Sequence, residues 1–296
     1  MTDAEMFFRR AEAILDRLER FIPAPVTVDL DHGIAWRWRK HNNVGGLQRI
    51  ERFNAIALED LHHIDHQKQE LIRNTKQFIN GLPANNALLW GPRGTGKSSL
   101  VKAILNAFSS AGLRLIEVER RDLVDLPEIV ESLQGNSGKF IVFCDDLSFD
   151  EQDSTYRALK VVLDGSVLTT PDNLIIYATS NRRHLVPERL SDNQNARPVD
   201  GEIHQSEAVE EKISLSERFG LWLSFHPFDQ NSYLKIVGHW LDEFGVTSRE
   251  SENVRRAALQ WALLHGSRSG RSAYQFAKDW AGREGLERVG FSGTVR

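Results

Sequence analysis

The sequence predicts an α/β fold: a doubly wound parallel sheet with a helical lid at its C-terminal end. Three observations predict it. Short apolar runs at 87–90, 113–118, 140–144, 174–178 and 221–225 alternate with helical stretches, the pattern of a parallel sheet covered by helices on both faces. One strand-to-helix junction carries the string Gly91-Pro92-Arg93-Gly94-Thr95-Gly96-Lys97-Ser98. Beyond Pro227 the strand pattern stops, and residues 231–244, 250–264 and 271–283 read as helices alone.

Taken in order, residues 4–22 place Phe7, Ala11, Ile14, Leu15, Leu18, Phe21 and Ile22 at helical spacing, an amphipathic helix stopped by Pro23 and Pro25. Residues 26–57 read as short strands and turns, including Ala35-Trp36-Arg37-Trp38-Arg39-Lys40 and the Gly45-Gly46 break. Residues 58–81 are helical, with Leu61, Ile64, Leu71, Ile72, Phe78 and Ile79 apolar. Helices are also expected after the glycine-rich string and around 126–133 and 154–163. The stretch 191–201, rich in Asn, Asp and Pro, reads as a mobile loop. The expected division is an N-terminal extension over 1–57, an α/β domain over 58–226 that carries the glycine-rich string, and a helical lid over 227–296.

The chain has 296 residues and a net charge of −4, with a pI near 6.2. Such a balance gives no global attraction to nucleic acid or anionic membrane. No apolar run approaches the roughly 20 residues that span a bilayer, and the N-terminus lacks the pattern of a secretory signal. The single cysteine, Cys144, lies in an apolar strand and reads as buried filler in a reducing cytoplasm. The ten histidines, His62, His63 and His66 among them, show no zinc-ligand spacing.

The glycine-rich string is a complete P-loop in the right setting, after Ala87-Leu88-Leu89-Trp90 and before Ser99-Leu100-Val101. Backbone amides that turn inward around a triphosphate need φ/ψ values and close approaches that side chains forbid, hence Gly91, Gly94 and Gly96. Lys97 is placed to reach the β/γ-phosphates and the Ser98 hydroxyl to ligate Mg²⁺. Pro92, Arg93, Thr95 and Ser99 complete the expected phosphate-binding set.

Phe140-Ile141-Val142-Phe143-Cys144-Asp145-Asp146 is an apolar strand ending in two carboxylates, and fits a Walker B element. Asp145 would hold Mg²⁺ through its water shell, and Asp146 would polarise the attacking water. The strand 174–178 runs on into Thr179-Ser180-Asn181, which delivers an amide to the same sheet edge. Asn181 would orient the water or contact the γ-phosphate.

This arrangement resembles the AAA+ ATPases. Leu58-Glu59-Asp60-Leu61-His62-His63-Ile64-Asp65 is similar to their adenine-side segment, and Asn181 to sensor 1. Ser216-Glu217-Arg218-Phe219-Gly220 resembles the segment carrying their arginine finger, and Ser267-Arg268-Ser269-Gly270-Arg271-Ser272-Ala273 resembles sensor 2 in the lid. The closest resemblance is to the AAA+ family catalogued as domain of unknown function 815, over about residues 34–280. It is carried by the strings Asn85-Asn86-Ala87-Leu88-Leu89-Trp90-Gly91, Phe143-Cys144-Asp145-Asp146-Leu147-Ser148-Phe149 and Tyr177-Ala178-Thr179-Ser180-Asn181-Arg182-Arg183-His184-Leu185-Val186-Pro187-Glu188. The resemblance implies ATP and Mg²⁺ as ligands, Ile64 beside the base, Arg218 acting in trans with Arg182 and Arg183 as rivals, and Arg271 as sensor 2 with Arg268 as its rival. It also implies a homo-oligomer, ring or partial ring, acting on a protein or nucleic-acid client.

The link 119–126 lacks the aromatic-aliphatic-Gly triplet of polypeptide-threading rings, and Arg120-Arg121 there read as a solvated pair. No Asn-Lys-x-Asp segment for reading guanine is present. A bare core with an Asp-Asp Walker B is similar to helicase loaders and transposition helpers. In 36–40, aromatic and basic residues alternate, so one strand face carries both tryptophans and the other the cations. A stacking platform for single-stranded nucleic acid looks like this, and so does a strand packing its Trp face onto the core; packing, and docking to protein rather than DNA, is the expectation.

Overall fold

A computed structural model describes residues 6–10, 12, 30, 32–41, 44–53, 56–149, 154–164, 171–183, 185, 198–199, 202–203, 215–247 and 251–288. The strands are β1 (Ala35–His41), β2 (Val44–Arg49), β3 (Ala87–Trp90), β4 (Leu113–Val118), β5 (Lys139–Cys144), β6 (Leu174–Ser180), β7 (Pro198–Val199), β8 (Glu202–Ile203) and β9 (Leu221–Ser224). Seven of them form one sheet in the order β2-β1-β4-β5-β6-β3-β9, and β7 pairs with β8. Within the large sheet every neighbouring pair is parallel except β1 with β2.

Side chains alternate across a strand, and this assigns the two faces. Ile116, Val118, Val142, Cys144, Ile176 and Ala178 pack on α3 (Leu126–Ser132) and α4 (Ser154–Asp164). Leu115, Ile141, Phe143, Ile175 and Tyr177 pack on α1 (Asp65–Ile79) and α2 (Lys97–Phe108). Both faces of the central strands are therefore dry, which is why they read as continuous apolar runs. Cys144 is fully buried, and that burial pushes its thiol up to about 12.

A third apolar cluster is built by α5 (Gln230–Glu243), α6 (Glu252–Leu264) and α7 (Gly270–Arg288). Two of these helices start on side-chain caps: Asp229 accepts from the Ser232 N–H at 2.7 Å, and Ser251 accepts from the Val254 N–H at 3.2 Å. No helix of the described residues is long and apolar enough to cross a membrane.

Three expectations change. Residues 35–49 are not part of an extension set apart from the unit that starts at 58: β1 pairs with β4, Ala35 opposite Leu115 and Arg37 opposite Glu117, and lengthens the main sheet. Trp36 and Trp38 drive this, at 0% and 3% exposure in the core. Lys40 does not share the face of Arg37 and Arg39; it lies on the Trp38 face, where both side chains donate to Asp125, at 2.6 and 3.1 Å. The segment 58–64 is not helical, and α1 opens at Asp65 after His63 takes a φ of 61°.

Of the helix expected over 4–22, residues 6–10 and 12 are helical, with Phe7 and Phe8 exposed, and the rest lies outside the described residues. Within 191–201 only Pro198–Val199 is described, paired antiparallel with Glu202–Ile203.

Candidate nucleotide-binding site

The P-loop leaves the end of β3 and turns into α2. Gly91 has a φ of 141°, and a Cβ there would lie 2.1 Å from the Phe225 carbonyl oxygen at the end of β9. Only glycine fits that contact. Gly94, with a φ of 77°, is constrained from another side: a Cβ would fall 2.7 Å from Ser269 Oγ. The first amide of α7 lies on the same spot, with the Gly270 N–H donating to the Gly94 carbonyl at 2.9 Å. Gly94 is thus required by the docked lid as well as by the turn.

Lys97, at 6% exposure, donates from Nζ to the carbonyls of Gly91 (2.6 Å) and Pro92 (2.7 Å) and to Asn181 Oδ1 (3.3 Å). Burial lowers its pKa to about 8; Asp145 and Asp146 oppose that shift, while Arg271 and Arg93 add to it. Thr95 Oγ1 braces the loop on the Pro92 carbonyl at 2.9 Å. Ser99 lies in the first turn of α2. Ile64 is buried beside the loop, its Cδ1 3.4 Å from where a Gly96 Cβ would stand.

The two acids follow β5. Cys144 is in register with Ala178, so Asp145 falls beside Thr179. Ser98 Oγ donates to Asp145 Oδ1 at 2.6 Å, and Thr179 Oγ1 donates to the same oxygen at 2.5 Å. Thr179 Oγ1 also accepts the Asp146 N–H at 2.9 Å. Asp146 has a φ of 55°, a left-handed conformation that Asp tolerates better than most residues. It turns the second carboxylate out of the strand line to accept from Asn181 Nδ2, with Arg93 Nη2 3.5 Å from its other oxygen. The Leu147 N–H donates to the Thr179 carbonyl at 2.7 Å and pins the turn.

The residues brought together are therefore Lys97, Ser98, Asp145, Asp146 and Asn181, with Arg93 at the rim. Thr179 was not assigned a role from the sequence, although it orients both acids. The signal was available: it is a hydroxyl at the end of an apolar strand, on the same face as Asn181 two residues on.

The arginines separate. Arg271 opens α7, and its Cβ lies 3.4 Å from where a Gly94 Cβ would stand; Arg268 is exposed three residues earlier. Arg218 donates from Nε to Asp164 Oδ1 at the end of α4. The Arg183 guanidinium carbon lies 5.8 Å from the centre of the Trp90 ring, and the Arg182 N–H donates to Ser180 Oγ at 3.1 Å. In the first link, Arg120 lies 6.0 Å over the Phe149 ring and Arg121 pairs with Glu119 at 3.1 Å. The segment 58–64 meets α5 through His62 and His239, whose rings are 4.4 Å apart.

Chemically the cradle suits a polyphosphate: inward backbone turns closed to any Cβ, a buried lysine and a helix N-terminus. The Ser98 hydroxyl and Asp145 carboxylate, side by side, form the hard-oxygen donor set that suits Mg²⁺.

The chain is similar to several known proteins. The chain is 30% identical over 117 residues to the replication factor C large subunit of Sulfolobus acidocaldarius, covering 37% of this chain and 25% of that protein. It is 24% identical over 269 residues to the Lon protease of Nitratidesulfovibrio vulgaris, covering 79% of this chain and 32% of that protein. The matches thus span a third or less of those relatives' own lengths. A point mutant of Thermotoga maritima RuvB superposes with a TM-score of 0.49 at 15% identity, over 79% of this chain and 64% of that one. Residues 31–284 match the family described as "Protein of unknown function (DUF815)", and the chain belongs to that family, within the AAA+ ATPases.

Proposed function

We propose that the chain is an ATP–Mg²⁺-dependent AAA+ ATPase that works as a homo-oligomer and couples hydrolysis to remodelling or loading of a protein or nucleic-acid partner. The observation that carries this reading is the convergence of Lys97, Ser98, Asp145, Asp146 and Asn181 at the carboxyl ends of β3, β5 and β6. Lys97 binds the β/γ-phosphates in place of the carbonyls it now holds. Bound at Ser98 and Asp145, Mg²⁺ would supply charge neutralisation on the phosphates. Asp146 polarises the attacking water and Asn181 orients it.

Arg271, carried to the loop by α7, adds a cation whose distance from the phosphates follows the lid, so hydrolysis moves lid against sheet. Arg218 completes the site of the adjoining subunit. An arginine supplied in trans is worth roughly 10³–10⁵ in rate, about 4–7 kcal/mol of barrier.

Isolated subunits are therefore expected to be poor ATPases whose specific activity climbs with concentration. Arg218→Ala subunits mixed with Lys97→Ala subunits should regain activity, since each supplies the half-site the other lacks. No recovery in a verified mixed oligomer redirects the finger to Arg182 or Arg183, or to none.

A second reading, a nucleotide-gated interaction module with little turnover, is favoured by one observation: one oxygen of Asp146 is held by Asn181 and the other faces Arg93, so an attacking water has to displace one of these contacts to reach the carboxylate. Asp146→Asn separates the two. Under the ATPase reading it binds ATP and hydrolyses it slowly; turnover equal to the parent's removes Asp146 as the base and favours the module.

A further inference from the structure

We infer that Asp164 is a positioning residue for Arg218, setting the guanidinium that one subunit presents to its neighbour's nucleotide; this rests on the ATPase reading above. Asp164 is the last residue of α4, and its carboxylate accepts the Arg218 Nε–H across 54 positions of sequence. The Arg218 and Asp164 side chains are 24% and 38% exposed, and ion pairs this open add little to stability. What such a pair does supply is geometry. A guanidinium is a rigid planar fork, so a carboxylate on Nε–H fixes the plane in which its other N–H groups lie.

Leu215 and Phe219, which flank Arg218, are buried in the cluster that this helix helps to build. Phe219, next in the chain, is buried in one cluster with Tyr156, Leu159 and Val162 of α4, and the Arg218 N–H donates to the Leu215 carbonyl at 3.3 Å. Helix α4 in turn is the element that follows β5 and its two acids, and Tyr156 packs edge-on to Phe149 at 6.0 Å just beyond them. The arginine is therefore referenced through its side chain to a helix anchored on its own subunit's acid-bearing turn, and through its neighbours to the apolar cluster beneath that helix. On this geometry Asp164 acts through Arg218 on the neighbour's hydrolysis, and not on its own P-loop.

Complementation tests this. Asp164→Ala is expected to lower kcat roughly 10–100-fold, the scale of a misplaced catalytic group, with KM and ATP affinity unchanged, and Asp164→Glu to restore most of the rate. Mixed with Lys97→Ala subunits, which carry an intact Asp164–Arg218 pair and a dead P-loop, Asp164→Ala should recover activity. Mixed with Arg218→Ala it should not, because both lack the same half-site.

A parent-like or raised kcat in Asp164→Ala overturns the inference. So does recovery with Arg218→Ala, or failure to recover with Lys97→Ala while Arg218→Ala does recover. Failure of Arg218→Ala itself to complement Lys97→Ala is a distinct result that removes Arg218 as the trans arginine, and this inference with it, while leaving the P-loop assignment standing. Should Asp164→Ala not fold, the near-isosteric Asp164→Asn goes through the same mixtures, and each outcome carries the same meaning.

Discussion

The edge strand β1 and the carboxyl ends of β5 and β6 both concentrate charge beside large apolar side chains, yet they satisfy it in opposite ways. On and beside β1 each carboxylate meets a cation: Arg37 with Glu117, Arg39 with Glu119 and Lys40 with Asp125, each at 2.6 Å. Past β5, Asp145 and Asp146 are held by hydroxyls and an amide from Ser98, Thr179 and Asn181, with Arg93 3.5 Å from Asp146 and Lys97 close enough to feel both charges. A neutralised carboxylate has no electrostatic reason to accept a cation, whereas one oriented by neutral donors keeps its charge. On the proposed reading the first pattern is architecture and the second is a site.

That contrast is broken most severely by Lys97→Ala. It is expected to abolish ATP binding or turnover while leaving the thermal unfolding midpoint near the parent's, as titration calorimetry with ATP–Mg²⁺ and circular dichroism would read. Unchanged affinity together with unchanged turnover removes the P-loop assignment.

Thr179→Val tests whether neutral donors orient the acids. Losing the hydroxyl strips one donor from Asp145 and the acceptor from the Asp146 N–H, and kcat should fall roughly 10–100-fold with a higher Mg²⁺ requirement. A parent-like Mg²⁺ titration shows Thr179 to be dispensable.

The buried lysine sharpens the comparison through pH. Lys97, with a pKa of about 8, is charged below that pH, and bound phosphates stabilise its proton and raise the pKa. Affinity for ATP is therefore flat below pH 8 and falls above it by up to about tenfold per pH unit, because binding then requires proton uptake. Fluorescent-nucleotide titrations between about pH 7 and 9.5 check the slope; a flat profile contradicts it.

Asp125→Ala probes the other region. Removing the acceptor of Trp38 Nε1 and Lys40 Nζ should cost about 1–3 kcal/mol of unfolding free energy with ATPase per folded molecule unchanged. Denaturant unfolding and turnover measured on the same sample decide it. A loss of turnover without a loss of stability would place β1 in the site.

The smallest expected effect is none. Single-stranded DNA titrated at low salt should not quench Trp38, which is buried at 3% exposure. Saturable, salt-sensitive quenching that disappears in Trp38→Phe would revive the stacking platform.

The central strands, the P-loop and the order of the lid helices were legible in the chain because each rests on local pattern: apolar runs of strand length, glycines where backbone must turn inward, and helical periodicity after Pro227. Asp145, Asp146 and Asn181 were legible for the same reason, as polar residues ending apolar strands. Local pattern does not report partners. The alternation of 36–40 showed that Trp36 and Trp38 share a face but not what covers it, and pairing with β4 decided that.

The helical spacing of Leu61 and Ile64 was matched by chance in a segment that turns at His63 before α1 begins. Thr179 gains its place only because the β5–β6 register sets it against Asp145, and Gly94 meets Ser269 only because α7 docks on the loop. The Asp164–Arg218 pair joins residues far apart in the chain. The sequence by itself determined which elements form and which chemistry the strand ends carry, because both follow from short-range sterics and periodicity. The tertiary structure alone decided which charges neutralise one another and which remain to act, because that depends on distances between elements that no local pattern encodes.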